Sequence, residues 1–191
     1  MKTPPHPLEE LTRLEGLDAL GEAPTGRFPD AADSALRTAG WTPGRWDIAQ
    51  AEIWADTLRA HTSPAGHEHH VSPAAVEAWA EFGGLTPHPT AKGRHLAPAS
   101  LDLDPLHGLH LARTLGDLGH ALGTHLCPLG LDTTTHAALA IDDEGRVYAL
   151  DHTGDWYLGA DIDQGLTTLL TGTAPERLTV TVTVTVTVTD D

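Results

Sequence analysis

Thirteen histidines, one cysteine and a run of carboxylates in the C-terminal third are the residues of this chain equipped to do chemistry. The densest imidazole group is H-E-H-H, His67 to His70, with His61 just upstream. Imidazole suits zinc, but a structural zinc site needs four ligands in fixed geometry with supporting neighbours. This group lies between Pro64-Ala65-Gly66 and Pro73 and lacks the H-E-x-x-H spacing that puts two ligands on one helix face, so it reads as an exposed polar loop. His107 and His110, with His120 and His125 after them, read as the surface of a Leu-rich helix. Cys127 has His125 and His136 near it in sequence, yet Leu126 and Pro128-Leu129 flank it in a strand-like run. A reactive thiol needs a depressed pKa and a positioned base; this one reads as a small buried hydrophobe.

The carboxylates are the more suggestive set. Asp142, Asp143, Glu144, Asp151, Asp155, Asp161 and Asp163 crowd the turns of the C-terminal region. Three readings apply to them: a metal or glycosidase pair, an acidic recognition patch, or turn and cap chemistry residue by residue. Phosphate-binding, dinucleotide-binding, nucleophile-elbow and zinc-deaminase signatures are all missing from the sequence. What recurs is glycine beside a large apolar residue, as in A-G-W-T-P-G-R (39–45), W-x-E-F-G-G-L (79–85), C-P-L-G (127–130), I-D-D-E-G-R-V-Y (141–148) and D-W-Y-L-G (155–159). Such positions set sharp corners plugged by one side chain. They point to a surface that binds rather than a site that reacts.

The elements that must hold these residues follow from periodicity. Asp30 is placed to cap a helix running to about residue 39. Asp47 caps a second, near 48–60, with Ile48, Ala51, Trp54, Ala55 and Leu58 as its apolar stripe. Ser72-Pro73 opens a third, which Gly83-Gly84 stops. Short strands are expected at 85–88 and 96–103, then a helix over 105–123 on the stripe Leu106, Leu109, Leu115, Leu118 and Leu122. Strands near 126–129, 136–141, 146–150 and 155–158 follow, the middle two joined by a hairpin through Asp142 to Gly145. Asp161 caps a last helix that ends at Gly172. The fold class is therefore α+β, with N-terminal helices, a mainly antiparallel sheet and a C-terminal helix. Residues 1–27 read as a flexible arm carrying a short leucine pattern, Leu8 to Leu17, and 28–173 as the domain. Residues 174–191 read as a low-complexity Thr-Val tail whose pairing register is poorly specified.

The 191 residues suit one domain, and a single cysteine excludes an internal disulfide framework. With no apolar segment near the roughly 20 residues a bilayer requires, and no secretory pattern at the start, a cytoplasmic location is expected. The net charge of −16 argues against direct contact with nucleic acid phosphates and is compatible with a basic protein partner. The absence of asparagine, with only two lysines, is also what a GC-rich genome produces, and that bias alone can make a soluble chain acidic.

Taken in order, these motifs, closed by L-x-x-L-L-x-G (166–172), resemble the SUKH superfamily of bacterial immunity proteins, and most closely its third subfamily. The resemblance covers about 28–173. It implies an α+β, non-enzymatic protein that neutralises a cognate polymorphic toxin, often a nuclease or deaminase. Gly40, Trp41, Gly44, Arg45, Phe82, Gly83, Gly84, Gly130, Gly145, Trp156 and Gly159 then stand as fold markers, and no contact residue transfers. The expected partner is a toxin domain, with no cofactor, membrane, nucleic acid or small molecule. Two rivals remain: a metal-binding or metal-dependent protein organised by His61, His67, His69 and His70, and a general protein-interaction module.

Overall fold

The computed structural model describes residues 26–179. The leucine pattern at 8–17 and the Thr-Val repeat beyond 179 lie outside the described residues. Three helices come first: α1 (Asp30–Thr38), α2 (Ile48–Ala60) and α3 (Pro73–Phe82). Strand β1 (Leu101–Asp102), a 3-10 turn (Pro105–Gly108) and α4 (Ala112–Leu122) lead into β2 (Leu126–Asp132), β3 (Ala138–Asp142), β4 (Val147–Asp151) and β5 (Gly154–Gly159). Helix α5 (Ile162–Thr171) and β6 (Glu176–Arg177) close the fold. The six strands lie in sequence order, each antiparallel to the next. This is the expected α+β meander with a C-terminal helix. Among the described residues no helix is long and apolar enough to cross a membrane.

The sheet alternates its side chains between two apolar layers. Cys127, Leu129, Leu139, Ile141, Val147 and Leu158 face the main core, built with α1, α2, α3 and α5 around Trp79, Phe82 and Phe28. Leu126, Ala140, Tyr148 and Leu150 face the other way, against Leu115 and Leu118 of α4. Helix α3 is fastened to the sheet by the Trp79 indole, which donates to the Pro128 carbonyl at 3.1 Å. Proline is tolerated inside β2 because β1 reaches only Leu131 and Asp132, leaving no neighbour that needs the missing Pro128 N–H on that side. A bulge between Pro128 and Gly130 absorbs the irregularity.

The structure corrects four local expectations. Pro29 occupies the cap position of α1 without a side-chain cap bond, and Asp30 is its first helical residue. The 85–88 segment forms no strand: the Leu85 and Pro87 carbonyls accept from Leu103 and Leu101, each at 3.0 Å, while Pro87 and Pro89 break the donor series a ladder needs. The expected 105–123 helix splits in two. Leu106 and Leu109 pack on the main core and Leu115 and Leu118 on the second, opposite faces of the sheet that one straight helix could not serve. Finally, β6 lies past residue 173, so the sheet extends into the segment expected as tail.

Candidate functional site

The W-x-E-F-G-G-L and A-G-W-T-P-G-R motifs meet at one hub. Trp41 stacks on Phe82 at 6.2 Å, and Phe28 abuts both rings edge-on. The Arg45 guanidinium donates to the Glu81 carbonyl and, at 2.8 Å, to the Gly83 carbonyl, satisfying the end of α3. Arg27 joins Glu81 (2.5 Å) and Asp163 (2.6 Å) over the same rings, and these two carboxylates push its pKa further up. This cluster locks α1, α3 and α5 together. It is architecture, as the marker residues implied.

The seven carboxylates divide among separate places. Asp142 is fully buried under the β3–β4 turn, so its carboxylate is not available at the surface. Its Oδ1 accepts from the Glu144 and Arg146 amides (2.9 Å each), and its Oδ2 from Arg146 Nε (2.6 Å) and the Tyr148 hydroxyl (3.1 Å). Burial first, and then Asp142, push the Tyr148 hydroxyl up to about 12. Glu144 is exposed and lies 3.3 Å from Arg146. Asp161 caps α5 through the Gln164 amide (2.8 Å), and Asp163 belongs to the Arg27 hub. Asp151 and Asp155 lie at the opposite end of the sheet, since Val147 pairs with Gly159 while Asp151 pairs with Gly154. Asp151 Oδ1 accepts from the Thr153 amide and hydroxyl, both at 2.6 Å. Although burial opposes it, those bonds and one from Gly154 hold the Asp151 carboxyl below its usual range. Asp155 goes the other way, raised first by desolvation and then by Asp151. Among the described residues no cation sits within ion-pair distance of Asp155.

The histidines regroup as well. The loop expected to be exposed is pinned down and buries His69, whose Nε2 meets the Leu109 carbonyl at 2.8 Å. Burial, followed in size by the opposing Leu109 bond and then by His61 and His110, holds its pKa low; Nε2 is therefore the donor and Nδ1 carries the lone pair. His61 lies beside His69 and His110, with ring centroids 6.2 and 5.2 Å away. His61, His67, His69 and His70 do not converge on a common point. Instead His70 Nε2 lies 3.1 Å from Asp143 Oδ1, and His125 Nδ1 lies 2.7 Å from Asp143 Oδ2. The two imidazoles stack at 4.2 Å. Among the described residues, His70, His125 and Asp143 are the group whose ligand atoms fall within 4.8 Å of one another. Desolvation raises the Asp143 pKa, but His125 and His70 outweigh it and hold it low. His107 sits on the 3-10 turn, 2.8 Å from Asp102.

Cys127 is buried as expected and its thiol is pushed up, chiefly by burial. Its Sγ donates to the His70 carbonyl (2.9 Å) and accepts from the Ser72 amide (3.2 Å), tying the histidine loop to β2. Two clefts flank the sheet. One, of about 510 Å³, is lined by Glu68, His70, His120, His125 and Asp143. The other, of about 570 Å³, is mostly apolar, with Leu96, Trp156, Leu158 and Leu169 in its walls and Asp151 among its few polar groups.

Fold and sequence together define an acidic α+β domain. A protein-family model described as SUKH-3 immunity protein matches residues 28–172. The chain belongs to the SUKH-3 immunity protein family. No curated protein and no solved structure matches it.

Proposed function

We propose that this protein acts in the cytoplasm as the immunity partner of a cognate polymorphic toxin of nuclease or deaminase type, and that it works by covering the toxin's active site. Membership of the family supports immunity, and the arrangement of charge supports occlusion. Arg27, Arg37, Arg59, Arg113 and Arg146 lie against carboxylates of this same chain, and Arg45 and Arg177 against carbonyls. Among the described residues that leaves Lys92 and Arg94 as the cations free to relieve unpaired acids in a chain of net charge −16.

One observation carries the docking position: Asp151 stands in the wall of the apolar cleft, Asp155 is its acidic neighbour across the same turn, and among the described residues neither has a cation within ion-pair distance. A toxin that grips nucleic acid presents arginines and lysines around its cleft. One of these placed on Asp151, with an adjoining apolar side chain in the cleft beside Trp156 and Asp155 adding negative charge at the same turn, reproduces the buried-anchor, polar-rim anatomy of protein interfaces. An interface of roughly 1,200–2,000 Å² suffices for stable occlusion. Binding carries this function, with no turnover of substrate by the chain.

The decisive experiment co-expresses the chain with the C-terminal domain of a large secreted protein encoded beside it. Growth rescue and a co-purifying complex whose association slows with salt are expected. Failure to rescue overturns immunity; rescue with salt-independent association overturns the electrostatic mechanism alone.

A further inference from the structure

Two imidazoles and a carboxylate from three distant segments converge where the β2–β3 ladder ends. Leu126 pairs with Asp142, so His125 and Asp143 face each other one step beyond the last ladder pair. The Asp142 carboxylate holds the turn that presents Asp143, through the Glu144 and Arg146 amides. His70 comes from the loop between α2 and α3, and its carbonyl is held by the Cys127 thiol. All three side chains are thus carried on backbone that is fixed for other reasons.

We propose that His70, His125 and Asp143 form a binding site for a divalent transition-metal ion of the zinc class. Tetrahedral zinc with nitrogen and oxygen ligands at about 2.0–2.2 Å sets its donors roughly 3.3 Å apart. His70 and His125 lie 3.1 and 2.7 Å from the Asp143 oxygens, and the three donors fall within 4.8 Å of one another. All three side chains are exposed, which leaves them room to rotate toward a common point. Two imidazoles in the donor set select zinc, cobalt or nickel over magnesium and calcium, which take oxygen. Charge agrees with this choice. The two rings stack at 4.2 Å beside one carboxylate, so a dication finds two nitrogen donors and one negative charge within reach of a single point. Zinc is four-coordinate, and Glu68, His120 and Glu144 line the same 510 Å³ cleft as the three donors, so water or one of these groups would complete the set. This site differs from a cluster at His61, His67, His69 and His70: it uses only the last of these and takes its other ligands from the residues flanking β2 and β3.

The full-length untagged chain is titrated with Co²⁺ and followed by visible absorption. One equivalent with the intense bands of a tetrahedral site is expected, displaced by Zn²⁺ and unaffected by Mg²⁺ or Ca²⁺. His125→Ala and Asp143→Asn each weaken it at least about tenfold. His107→Ala, which removes another partly exposed His–Asp pair elsewhere, leaves it unchanged. A second measurement needs no variant: Zn²⁺ must protect His70 and His125 of the wild-type chain from diethyl pyrocarbonate, read by peptide mass spectrometry. Less than one equivalent of Co²⁺, equal weakening by His107→Ala, or no protection of these two histidines overturns the site.

Discussion

Two turns of the sheet share the pattern D-x-x-G, Asp142 to Gly145 and Asp151 to Gly154, and they differ in almost everything else. In both, the leading aspartate folds back to accept the amide two residues on, through Glu144 in the first and Thr153 in the second. In the first, the leading carboxylate is closed over by protein. Asp142 is sealed beneath Arg146 and Tyr148, and Asp143 is held between two histidines. The second stays open. Asp151 is bonded chiefly within its own turn, Arg177 reaches the Thr153 carbonyl rather than either carboxylate, and among the described residues no cation lies within ion-pair distance of Asp155. The same local chemistry can therefore finish a fold or leave charge for a partner, depending on what packs over it.

The contrast breaks most visibly at the buried end. Asp142→Ala strands two turn amides and the Tyr148 hydroxyl, and it should destabilise the chain by about 3 kcal/mol. Asp151→Ala loses a solvent-accessible turn and should cost about 1 kcal/mol. Urea unfolding of the two variants measures the gap, and equal losses would erase the distinction. Binding sharpens it in the opposite sense. Asp155→Lys should slow association with the cognate toxin about tenfold, while Glu144→Lys, the same charge change at the closed end, should slow it by less than about threefold. Stopped-flow mixing at low salt reads both; a larger effect from Glu144→Lys would move the docking face to the histidine cleft.

Much of this architecture was legible in the sequence because its signals are local. Asp47, Ser72 and Asp161 each cap the helix they precede, accepting from Gln50, Ala75 and Gln164. Gly145 adopts the φ of 88° that its hairpin position demands. Where the reading failed, a distant partner decided. The Leu-rich stripe at 106–122 obeys one helical period yet serves two cores, and only the sheet between them shows why it must break. His69 sits in a polar, proline-flanked run and is nonetheless buried, because the Leu109 carbonyl offers it a partner 40 residues away. The meeting of His70, His125 and Asp143 had one accessible clue, the β2–β3 register. Once Leu126 is set against Asp142, the juxtaposition of His125 and Asp143 follows. His70 gives no such signal, since its position depends on the bond from Cys127.

The finest test of the open turn is its acid titration, where two neighbouring aspartates should act with opposite sign. Asp151 has a folded pKa below its unfolded value, so the stability it supplies is complete above the unfolded pKa and is lost as pH falls through the folded one. Asp155 has a folded pKa above its unfolded value. Its ionisation therefore opposes folding: the penalty is absent below the unfolded pKa and grows as pH rises through the window up to the folded one. Asp155→Asn should accordingly match wild type in strong acid and gain a little stability near neutrality. Asp151→Asn should lose stability near neutrality and converge on wild type in acid. Both effects are small because water screens these groups, so paired urea curves from about pH 3 to pH 7 are required. The tension between the two carboxylates is also what a toxin cation would relieve. In the complex the Asp155→Asn advantage should reverse, with the variant bound more weakly than wild type at neutral pH. If Asp155→Asn strengthened binding instead, the unpaired charge at this turn would be a defect of the free chain and not the feature its partner recognises.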